Sequence, residues 1–298
     1  MAAGLFENPD GVPERTMTLH EIAPDRPTAA SNLHAVGGGA VLSSDERHDA
    51  YARHIDDEPR WVLRGDADLH VEVTVSVVIP AMNEALNLPY LLPQLPPGIA
   101  EVILVDGRST DGTIEVAQSI LPDVKVVHQT GKGKGDALRA GFDAAKGDIV
   151  VMIDADGSMS PREIPRYIEA LANGADVVTG SRLMEGGGSA DITPLRKLGN
   201  DGLNMVFGKL YGVRQTDLCY GYMAFWRHAL DKLDLDCDGF EIETLVNVRA
   251  VKADLTLVEV PSHEARRLHG ESNLRTFRDG FRVLRTLLLE KRRPARAN

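Results

Sequence analysis

The sequence predicts an α/β fold in which a mostly parallel sheet is covered on both faces by helices. From residue 73 onward, short runs rich in valine and isoleucine end in polar turns. Between successive runs lie segments in which leucine or isoleucine recurs at roughly helical spacing. Strands that alternate with helices in this way form βαβ units, and such units make a parallel sheet with helices on its faces.

The individual elements follow in order along the chain. The predicted strands are residues 73–80, 102–106, 124–128, 149–154 and 177–180. The predicted helices are residues 84–95, 111–121, 134–145 and 161–172. Ligands of open α/β sheets bind at the carboxyl ends of the strands, so the turns after these strands are the expected location of a functional site.

The regular alternation ends after residue 182. A glycine-rich loop then leads into a predicted helix at residues 195–211. A turn and a strand are predicted within residues 216–230, and a helix and a strand within residues 239–261. We expect this half to complete one domain over residues 71–290 and to form the second side of a ligand cleft.

The two ends of the chain differ from this domain in composition. Residues 1–70 contain 6 arginines, no lysine and 13 acidic residues, and they are rich in glycine, proline, serine and alanine without a sustained period. We predict a largely disordered or irregular extension, with a short helix within residues 43–61 capped by Ser44. Residues 291–298 are predicted to be a basic tail.

The last part of the domain is predicted to be an amphipathic basic helix. Leucine and phenylalanine recur at spacings of three and four and form one stripe: Leu274, Phe277, Phe281, Leu284 and Leu288. Arginines recur at the same spacing on the adjacent face. Two interpretations stay open, because the stripe either lies on an anionic membrane surface or packs against the rest of the domain.

The composition is that of a globular protein and argues against several classes of function. The 298 residues carry a formal net charge of −11, which makes nonspecific nucleic-acid binding a poor candidate. No apolar run approaches the ~20 residues of a membrane-spanning helix, and the N-terminus lacks the pattern of a signal peptide. Cys219 and Cys237 lie outside any CxxC motif and fit a reducing compartment. We expect a cytoplasmic protein, or one that is peripheral on the cytoplasmic face of a membrane.

Two carboxylates, Asp154 and Asp156, end the fourth strand in the sequence GDIVVMIDADGSMSP. Like charges repel and carboxylates lose hydration on burial, so something at this strand end must compensate negative charge. Mg²⁺ or Mn²⁺ does so, because such ions bind one or two carboxylates and fill their other positions with phosphate oxygens and water. The pair therefore predicts a divalent-cation site that neutralises a diphosphate.

Other strand ends exclude two common nucleotide-binding motifs. The first strand is followed by PAMNE, which has no glycine where a dinucleotide-binding G-x-G-x-x-G needs one. The third strand is followed by GKGKGD, which is not the G-x-x-x-x-G-K-[ST] of a P-loop. The glycines and lysines of this turn are still able to approach a phosphate.

Taken together, the motifs resemble those of the family 2 glycosyltransferases, and in particular the branch of dolichyl-phosphate or polyprenyl-phosphate mannose and glucose synthases. The resemblance covers about residues 74–285 and rests on SVVIPAMNE, VDGRSTDGT, GKGKGDALRAGF, DADGS, GSR and VPSHEARRLHGESNL. It implies a GT-A nucleotide-diphospho-sugar transferase fold. It also implies inverting, metal-dependent transfer of a hexose from a donor of the GDP-mannose or UDP-glucose type, most often to a polyprenyl phosphate.

The resemblance also implies roles for individual residues of the donor site. Four residues resemble the family's loop that holds the nucleobase and ribose: Pro80, Ala81, Asn83 and Glu84. Asp106 resembles the acid that contacts the base or the ribose. Lys134 and Asp136 fall in the segment that closes on the nucleotide. Asp154 resembles the acid that faces the sugar and ribose, and Asp156 the direct metal ligand.

Three arginines resemble those that hold the acceptor phosphate and the donor diphosphate: Arg182, Arg196 and Arg267. The planar guanidinium suits phosphate oxygens. A phosphate acceptor is already ionised near pH 7, whereas a hydroxyl acceptor must lose its proton to a carboxylate. The candidate bases are Asp217, Glu241 and Glu243; we predict Asp217, with Asp154 and Asp156, as the catalytic residues. His263 and His269 are weaker candidates for contacts to metal or phosphate.

Two positions depart from the family pattern. Residues 105–109 read VDGRS where the family usually reads VDDGS, which leaves the nucleobase open, and Asp111 after them is expected to cap the next helix. Ser158 stands where lipid-phosphate mannose synthases often have a glutamine that binds the metal, which leaves the metal geometry and the donor sugar open.

Alternative functions also stay open. One is transfer to a soluble hydroxyl acceptor, and another is a catalytically inactive protein that binds nucleotide sugars or docks on a membrane. A Mg²⁺-dependent phosphatase or phosphotransferase fits D-x-D-G-[ST] but gives VIPAMNE and VDGRSTDGT no role.

Overall fold

Seven strands form the central sheet of the computed structural model, which describes residues 50–55, 58–64, 70–270 and 276–294. The strands are β4 (Val75–Ala81), β5 (Glu101–Asp106), β6 (Lys125–His128), β7 (Ile149–Met152), β8 (Val177–Ser181), β10 (Met223–Trp226) and β11 (Leu257–Pro261). Their order across the sheet is β11-β8-β10-β7-β4-β5-β6. Strand β10 is antiparallel to both of its neighbours, and the other pairs are parallel. The mostly parallel sheet predicted from the sequence is therefore confirmed.

The α-helices of the described residues are α1 (Leu88–Leu91), α2 (Thr113–Ile120), α3 (Lys134–Ala144), α4 (Ile164–Ala172), α5 (Pro194–Tyr211), α6 (Arg227–Lys232), α7 (Ile242–Lys252) and α8 (Thr276–Arg292). The helix predicted over residues 84–95 is shorter than expected. It consists of α1 and a 3₁₀ turn, Leu92–Gln94, because each piece has a proline in its first turn and the preceding residues form a loop.

The N-terminal part corrects one prediction. The described residues of the segment expected to contain a helix form strands instead, β1 (Ala50–Ile55) and β2 (Glu58–Arg64), which pair antiparallel with each other, and β2 also pairs with β3 (His70–Val73). Trp61 and Leu63 are buried in the hydrophobic core, so core packing overrides the local helical pattern. Residues 1–49, including Ser44, and residues 295–298 lie outside the described residues.

The topology brings the expected site residues to one edge of the sheet. Strands β7, β4 and β5 are adjacent, and their register pairs Val78 with Met152 and Ala81 with Asp106. The turns after these strands therefore meet at their carboxyl ends. A small parallel pair, β9 (Gly188–Ser189) with β12 (His263–Glu264), joins two later loops beside this edge.

Helix α8 packs beside α5 and α7, but not through the stripe predicted to be apolar. Its buried residues are Asp279, Val283, Leu287 and Glu290. Phe277, Phe281 and Leu288 of the predicted stripe are exposed, while Leu274 lies outside the described residues. Within the described part of the chain, no helix combines the length and apolar character needed to cross a membrane.

Candidate active site

A cleft of about 650 Å³ lies at the carboxyl ends of the central strands. The turns after β4 and β7, the start of α3 and parts of α5, α7 and α8 form its walls. The predicted site residues that line it are Pro80, Ala81, Glu84, Lys134, Asp154, Asp156, Arg182, Arg196 and Arg267. Four others do not line it: Asn83, Asp106, Asp136 and Asp217.

Lys134 lies between two carboxylates at the centre of the cleft. Its Nζ atom is 2.7 Å from Asp154 Oδ1 and 2.7 Å from Glu243 Oε1. Burial alone would lower the pKa of this lysine, but the two carboxylates outweigh burial and raise it above its ordinary value. Lys134 is therefore a permanent cation that holds Asp154 in place.

Glu243 contributes to this cluster from α7, where burial raises the pKa of its carboxyl group. Gly221 makes room for the cluster, because a Cβ atom there would lie 2.7 Å from both Glu243 Oε1 and Lys134 Nζ. Gly133 precedes Lys134 with φ of 93°, and a side chain there would also collide with the carbonyl oxygen of Asp238. Only glycine fits either position without a shift.

Asp156 is oriented from two sides. Its Oδ1 atom accepts hydrogen bonds from the backbone N–H of Ser158, at 2.9 Å, and from the Ser158 hydroxyl, at 2.6 Å. Its Oδ2 atom is 3.1 Å from Arg267 Nη2. The other terminal nitrogen of Arg267 donates to Glu84 Oε1 at 2.9 Å, so this arginine bridges the turns after β4 and β7.

Asn87 supports this bridge, although it was not among the residues predicted from the sequence. Its Nδ2 atom donates to Glu84 Oε2 and, at 3.2 Å, to the carbonyl of His269. Its Oδ1 atom accepts from the backbone N–H of His269 at 3.0 Å. One buried amide therefore fastens the Arg267 segment to the turn after β4. The second asparagine of the NEALN sequence was the available signal.

Two other predicted polar residues hold turns beside the cleft. Asp106 accepts from the backbone N–H groups of Arg108 and Ser109 at 3.0 and 3.2 Å. Asn83, at φ of 59°, accepts from the backbone N–H of Thr110 at 2.8 Å. Their expected contacts with a nucleotide stay predictions.

Two further acids hold backbone N–H groups near their own positions. Asp111 was expected to cap α2, but the N-cap residue is Gly112. Asp111, one residue earlier, still accepts from the backbone N–H of Thr113 in the first turn of α2, and from that of Ala85. Asp136 accepts from the backbone N–H of Gly131 at 2.8 Å and so closes the turn before α3.

Arg182 lies in the opposite wall of the cleft, where two acids and a tyrosine contact its guanidinium. Its Nε and Nη2 atoms donate to the two carboxylate oxygens of Asp217 at 2.7 and 2.9 Å, and Nη1 donates to Glu264 at 2.9 Å. The guanidinium also lies over the ring of Tyr220, 4.6 Å from its centroid. Burial raises the pKa of Glu264, although Arg182 opposes that effect.

Asp217 lies behind Arg182 and away from the cleft. Its side chain is 0% exposed, and Asn200 Nδ2 donates to it at 2.9 Å in addition to Arg182. The backbone N–H of Asp217 is held by Glu259 at 3.0 Å. A carboxylate with these partners and no access to the cleft is arranged to orient Arg182. The geometry therefore argues against the base role predicted for Asp217 from the sequence.

The remaining candidates lie farther from the centre. Arg196 lines the cleft and is 3.5 Å from Asp191. Glu241 pairs with Arg282 of α8 at 3.5 Å. The His263 and His269 side chains are exposed and do not line the cleft. Glu264 was not among the predicted residues, although it lies within the VPSHEARRL motif.

The donor atoms at the strand edge suit a hard divalent cation that is shared with a substrate. Among the described residues, no group of three or more His, Cys, Asp or Glu side chains is arranged to hold a metal alone. Asp154 and Asp156 offer carboxylate oxygens, which in this structure pair with Lys134 and Arg267. Two carboxylates completed by phosphate oxygens and water are a usual setting for Mg²⁺.

Comparison with known proteins identifies the family. The family model of glycosyl transferase family 2 matches residues 76–234. The chain belongs to this family. It is a glycosyltransferase with a GT-A fold, as predicted.

This glycosyltransferase is similar in sequence to two named relatives. It is 36% identical to polyprenol monophosphomannose synthase of Mycolicibacterium smegmatis, over 62% of this chain and 75% of the relative. It is 34% identical to undecaprenyl-phosphate mannosyltransferase of Micrococcus luteus, over 67% of this chain and 87% of the relative.

A solved structure agrees with the fold of this glycosyltransferase. Glucosyl-3-phosphoglycerate synthase of Mycobacterium tuberculosis, solved with Mn²⁺, uridine diphosphate and glucosyl-3-phosphoglycerate, superposes with a TM-score of 0.60. The match covers 74% of this chain and 81% of that one, at 24% identity. At that identity the likeness concerns the fold.

Proposed function

We propose that this glycosyltransferase moves a hexose from a nucleotide-diphospho-sugar to a polyprenyl phosphate, with inversion and with Mg²⁺ or Mn²⁺. The observation that carries the proposal is the arrangement of charges around the acid pair. Asp154 and Asp156 lie at the strand edge next to Lys134 and Arg267, and Arg182 and Arg196 line the other side of the same cleft.

The strand-end side is the proposed donor half. Asp156, with Asp154, would hold the cation, which would supply compensation for the charge of the departing diphosphate. Lys134 keeps Asp154 oriented. Arg267 binds phosphate oxygens when a donor is present, since Glu84 and Asp156 hold its guanidinium at this edge and three of its five N–H groups are left for a ligand.

The opposite side is the proposed acceptor half. Arg182 and Arg196 bind the acceptor phosphate, and an oxygen of that phosphate attacks the anomeric carbon from the face opposite the nucleoside diphosphate. The new carbon–oxygen bond forms as the bond to the diphosphate breaks. No proton has to be removed, because a phosphate monoester is already ionised near neutral pH. Asp217 then serves to orient Arg182.

The names of the relatives support this acceptor class. The M. smegmatis relative is named for polyprenol monophosphomannose and the M. luteus relative for undecaprenyl phosphate. Both names include mannose, which makes GDP-mannose the first donor to test, with UDP-glucose as the second.

A donor screen followed by a transfer assay tests the proposal. Thermal unfolding is measured with GDP-mannose, UDP-glucose and related donors, with and without Mn²⁺ or Mg²⁺. We expect one donor to raise the unfolding temperature only when the metal is present, because a ligand that binds the folded state stabilises it. Absence of a shift with every donor would overturn the proposal.

The transfer assay separates the alternative functions. The donor that binds is incubated with a polyprenyl phosphate in detergent and, separately, with soluble sugars. Transfer to the polyprenyl phosphate supports the proposal. Transfer to a sugar hydroxyl alone, or binding without any transfer, would replace it with one of the alternatives named from the sequence.

A further inference from the structure

Helix α8 has two apolar faces, and one of them points away from the protein. Its inner face packs through Val283 and Leu287. On its outer face Phe277 is 80% exposed and Phe281 is 70% exposed. A globular helix normally buries such a stripe, so an outward stripe marks a surface that contacts something else.

Helix α5 presents a similar outer face. Leu198 is 70% exposed and Leu195 is 53% exposed, while Asn200 and Phe207 are buried on the inner side. We call Leu195, Leu198, Phe277 and Phe281 the apolar rim. Four exposed large apolar residues on two packed helices are more than the isolated ones found on most surfaces.

The apolar rim borders the acceptor half of the cleft. The C-terminal ends of α5 and α8 are joined, since the Tyr211 hydroxyl donates to the carbonyl of Leu287 at 2.7 Å. Their N-terminal halves both line the cleft, through Gly199 and Gly280 among others. A Cβ atom at either glycine would meet nothing within 4 Å, so the cleft wall is open beside the rim.

Helix geometry connects the cleft wall with the rim. Successive residues turn by about 100° around a helix axis, and positions three or four apart share a face. Leu195 is therefore next to Gly199 on the surface of α5. On α8, Phe277 is three residues before Gly280 and therefore next to it, and Phe281 is four residues after Phe277 on the same exposed face.

Basic residues accompany the apolar rim. Arg278 and Arg285 are exposed on α8, and within the described residues neither has an acidic group within ion-pair distance. Lys291 and Arg292 continue this exposed basic surface toward the end of the helix. The whole chain carries a net charge of −11, so this positive surface runs against its average. An apolar stripe beside arginines is complementary to an anionic bilayer.

We propose that the apolar rim inserts into the interface of an anionic bilayer, with Arg278 and Arg285 against the lipid headgroups. The cleft then opens directly onto the membrane. The identity of the acceptor rests on the proposed function, whereas the docking rests on the rim alone. A second copy of the chain is a poorer occupant, because pairing two rims would bring their arginines together.

Sedimentation of the full chain with vesicles tests the docking. Vesicles of phosphatidylcholine are compared with vesicles that also contain phosphatidylglycerol. We expect binding to the anionic vesicles that weakens as salt is added, because salt screens the arginines. The double variant Phe277→Ser/Phe281→Ser should weaken binding by about tenfold or more, since two apolar side chains are lost from the interface.

A matched control has the same chemistry outside the rim. Leu86 is 66% exposed after β4, and Leu86→Ser should bind anionic vesicles as the wild type does. The proposal is overturned if the wild type does not bind anionic vesicles, or if the rim variant binds them equally well. It is also overturned if the wild type is a dimer in solution that the rim variant converts to a monomer.

A soluble acceptor separates this inference from the proposed function. Transfer is measured with a short-chain polyprenyl phosphate in solution and with a long-chain one in anionic vesicles. The rim variant should retain the first rate and lose most of the second. Equal loss of both rates would contradict a docking role. Absence of transfer by the wild type, with vesicle binding intact, would instead count against the proposed function alone.

Discussion

The two halves of the cleft handle charge differently. In the donor half, four carboxylates line the wall together with two cations: Glu84, Asp154, Asp156 and Glu243, with Lys134 and Arg267. The excess of two negative charges corresponds to the charge of one divalent cation. In the acceptor half, two arginines and two carboxylates line the wall, Arg182 and Arg196 with Asp191 and Glu264, so no negative charge is in excess there.

The difference indicates what each set of acids does. Acids that outnumber the cations around them attract a further cation, whereas acids that are balanced by arginines hold those arginines in place. The first arrangement fits a metal-diphosphate site, and the second a preformed phosphate site. Four substitutions test whether this contrast is real.

The largest effect is expected for Asp156→Asn. It removes the charge that the cation needs but keeps the size of the side chain, so transfer should fall by about 10³-fold and the metal-dependent thermal shift should vanish. Steady-state rates and thermal unfolding with donor and Mn²⁺ measure these changes. Asp136→Asn is the control, because Asp136 holds a turn outside the cleft. A normal metal-dependent shift in the Asp156 variant would end the metal assignment.

The donor half is also the part that the sequence predicts best. Asp154 and Asp156 come two and four residues after the end of β7, and Lys134 is the first residue of α3, so strand and helix periodicity is enough to locate them at this edge of the sheet. The partner of Lys134 could not be found in this way, because Glu243 is 109 residues away. It depends on the antiparallel insertion of β10, whose pairing of Met223 with Met152 carries Gly221 to Asp154.

The acceptor half was harder to predict for the same reason. The sequence identified Arg182 and Asp217 separately but gave no sign that they form a bidentate pair. An acidic residue in a turn, such as Asp217, is a candidate general base from the sequence alone, and only the structure shows that its side chain is buried. The outward orientation of Phe277 was equally hidden, since a periodic stripe indicates a face of a helix but not which face is buried.

Lys134→Met should have the second largest effect. We expect a loss of about 3 kcal/mol in the free energy of unfolding, because Glu243 and Asp154 would lose their buried counter-charge. Chemical denaturation measures the loss. A variant as stable as the wild type would show that water, and not Lys134, compensates the charges of Asp154 and Glu243.

The pH dependence of the Lys134 variant gives a second readout. Burial raises the pKa of Glu243 in the folded protein, so the folded state binds a proton more readily than the unfolded state does. Stability therefore falls as the pH rises between the unfolded-state and the folded-state pKa of Glu243, and removal of Lys134 makes the total fall larger because Lys134 opposes the effect of burial on that pKa. Lys134 itself stays protonated, because its pKa is raised. The stability difference should be larger at about pH 8 than at about pH 5.

Asp217→Asn tests the acceptor half, with an expected loss of about 2 kcal/mol in stability because Arg182 loses one of its two charged partners. Arg182 would then be less well oriented, so KM for the acceptor should rise more than kcat falls. The shape of the pH–rate profile should not change. A general base would behave differently: kcat would collapse and the limb governed by a carboxylate would disappear from the profile.

Ser158→Ala should have the smallest effect, a loss of about 1 kcal/mol in binding of the metal-donor pair, because one hydrogen bond to Asp156 is removed. The backbone N–H of residue 158 still holds the same oxygen, at 2.9 Å in the wild type.

If Ser158 instead bound the metal directly, as glutamine does in the synthases that this chain resembles, Ser158→Gln would restore or improve Mn²⁺ affinity. Titration of both variants with Mn²⁺ at saturating donor distinguishes the two cases. Because Ser158 is buried against Asp156, we expect the longer glutamine side chain to displace that carboxylate, so Ser158→Gln should bind the metal more weakly than Ser158→Ala does.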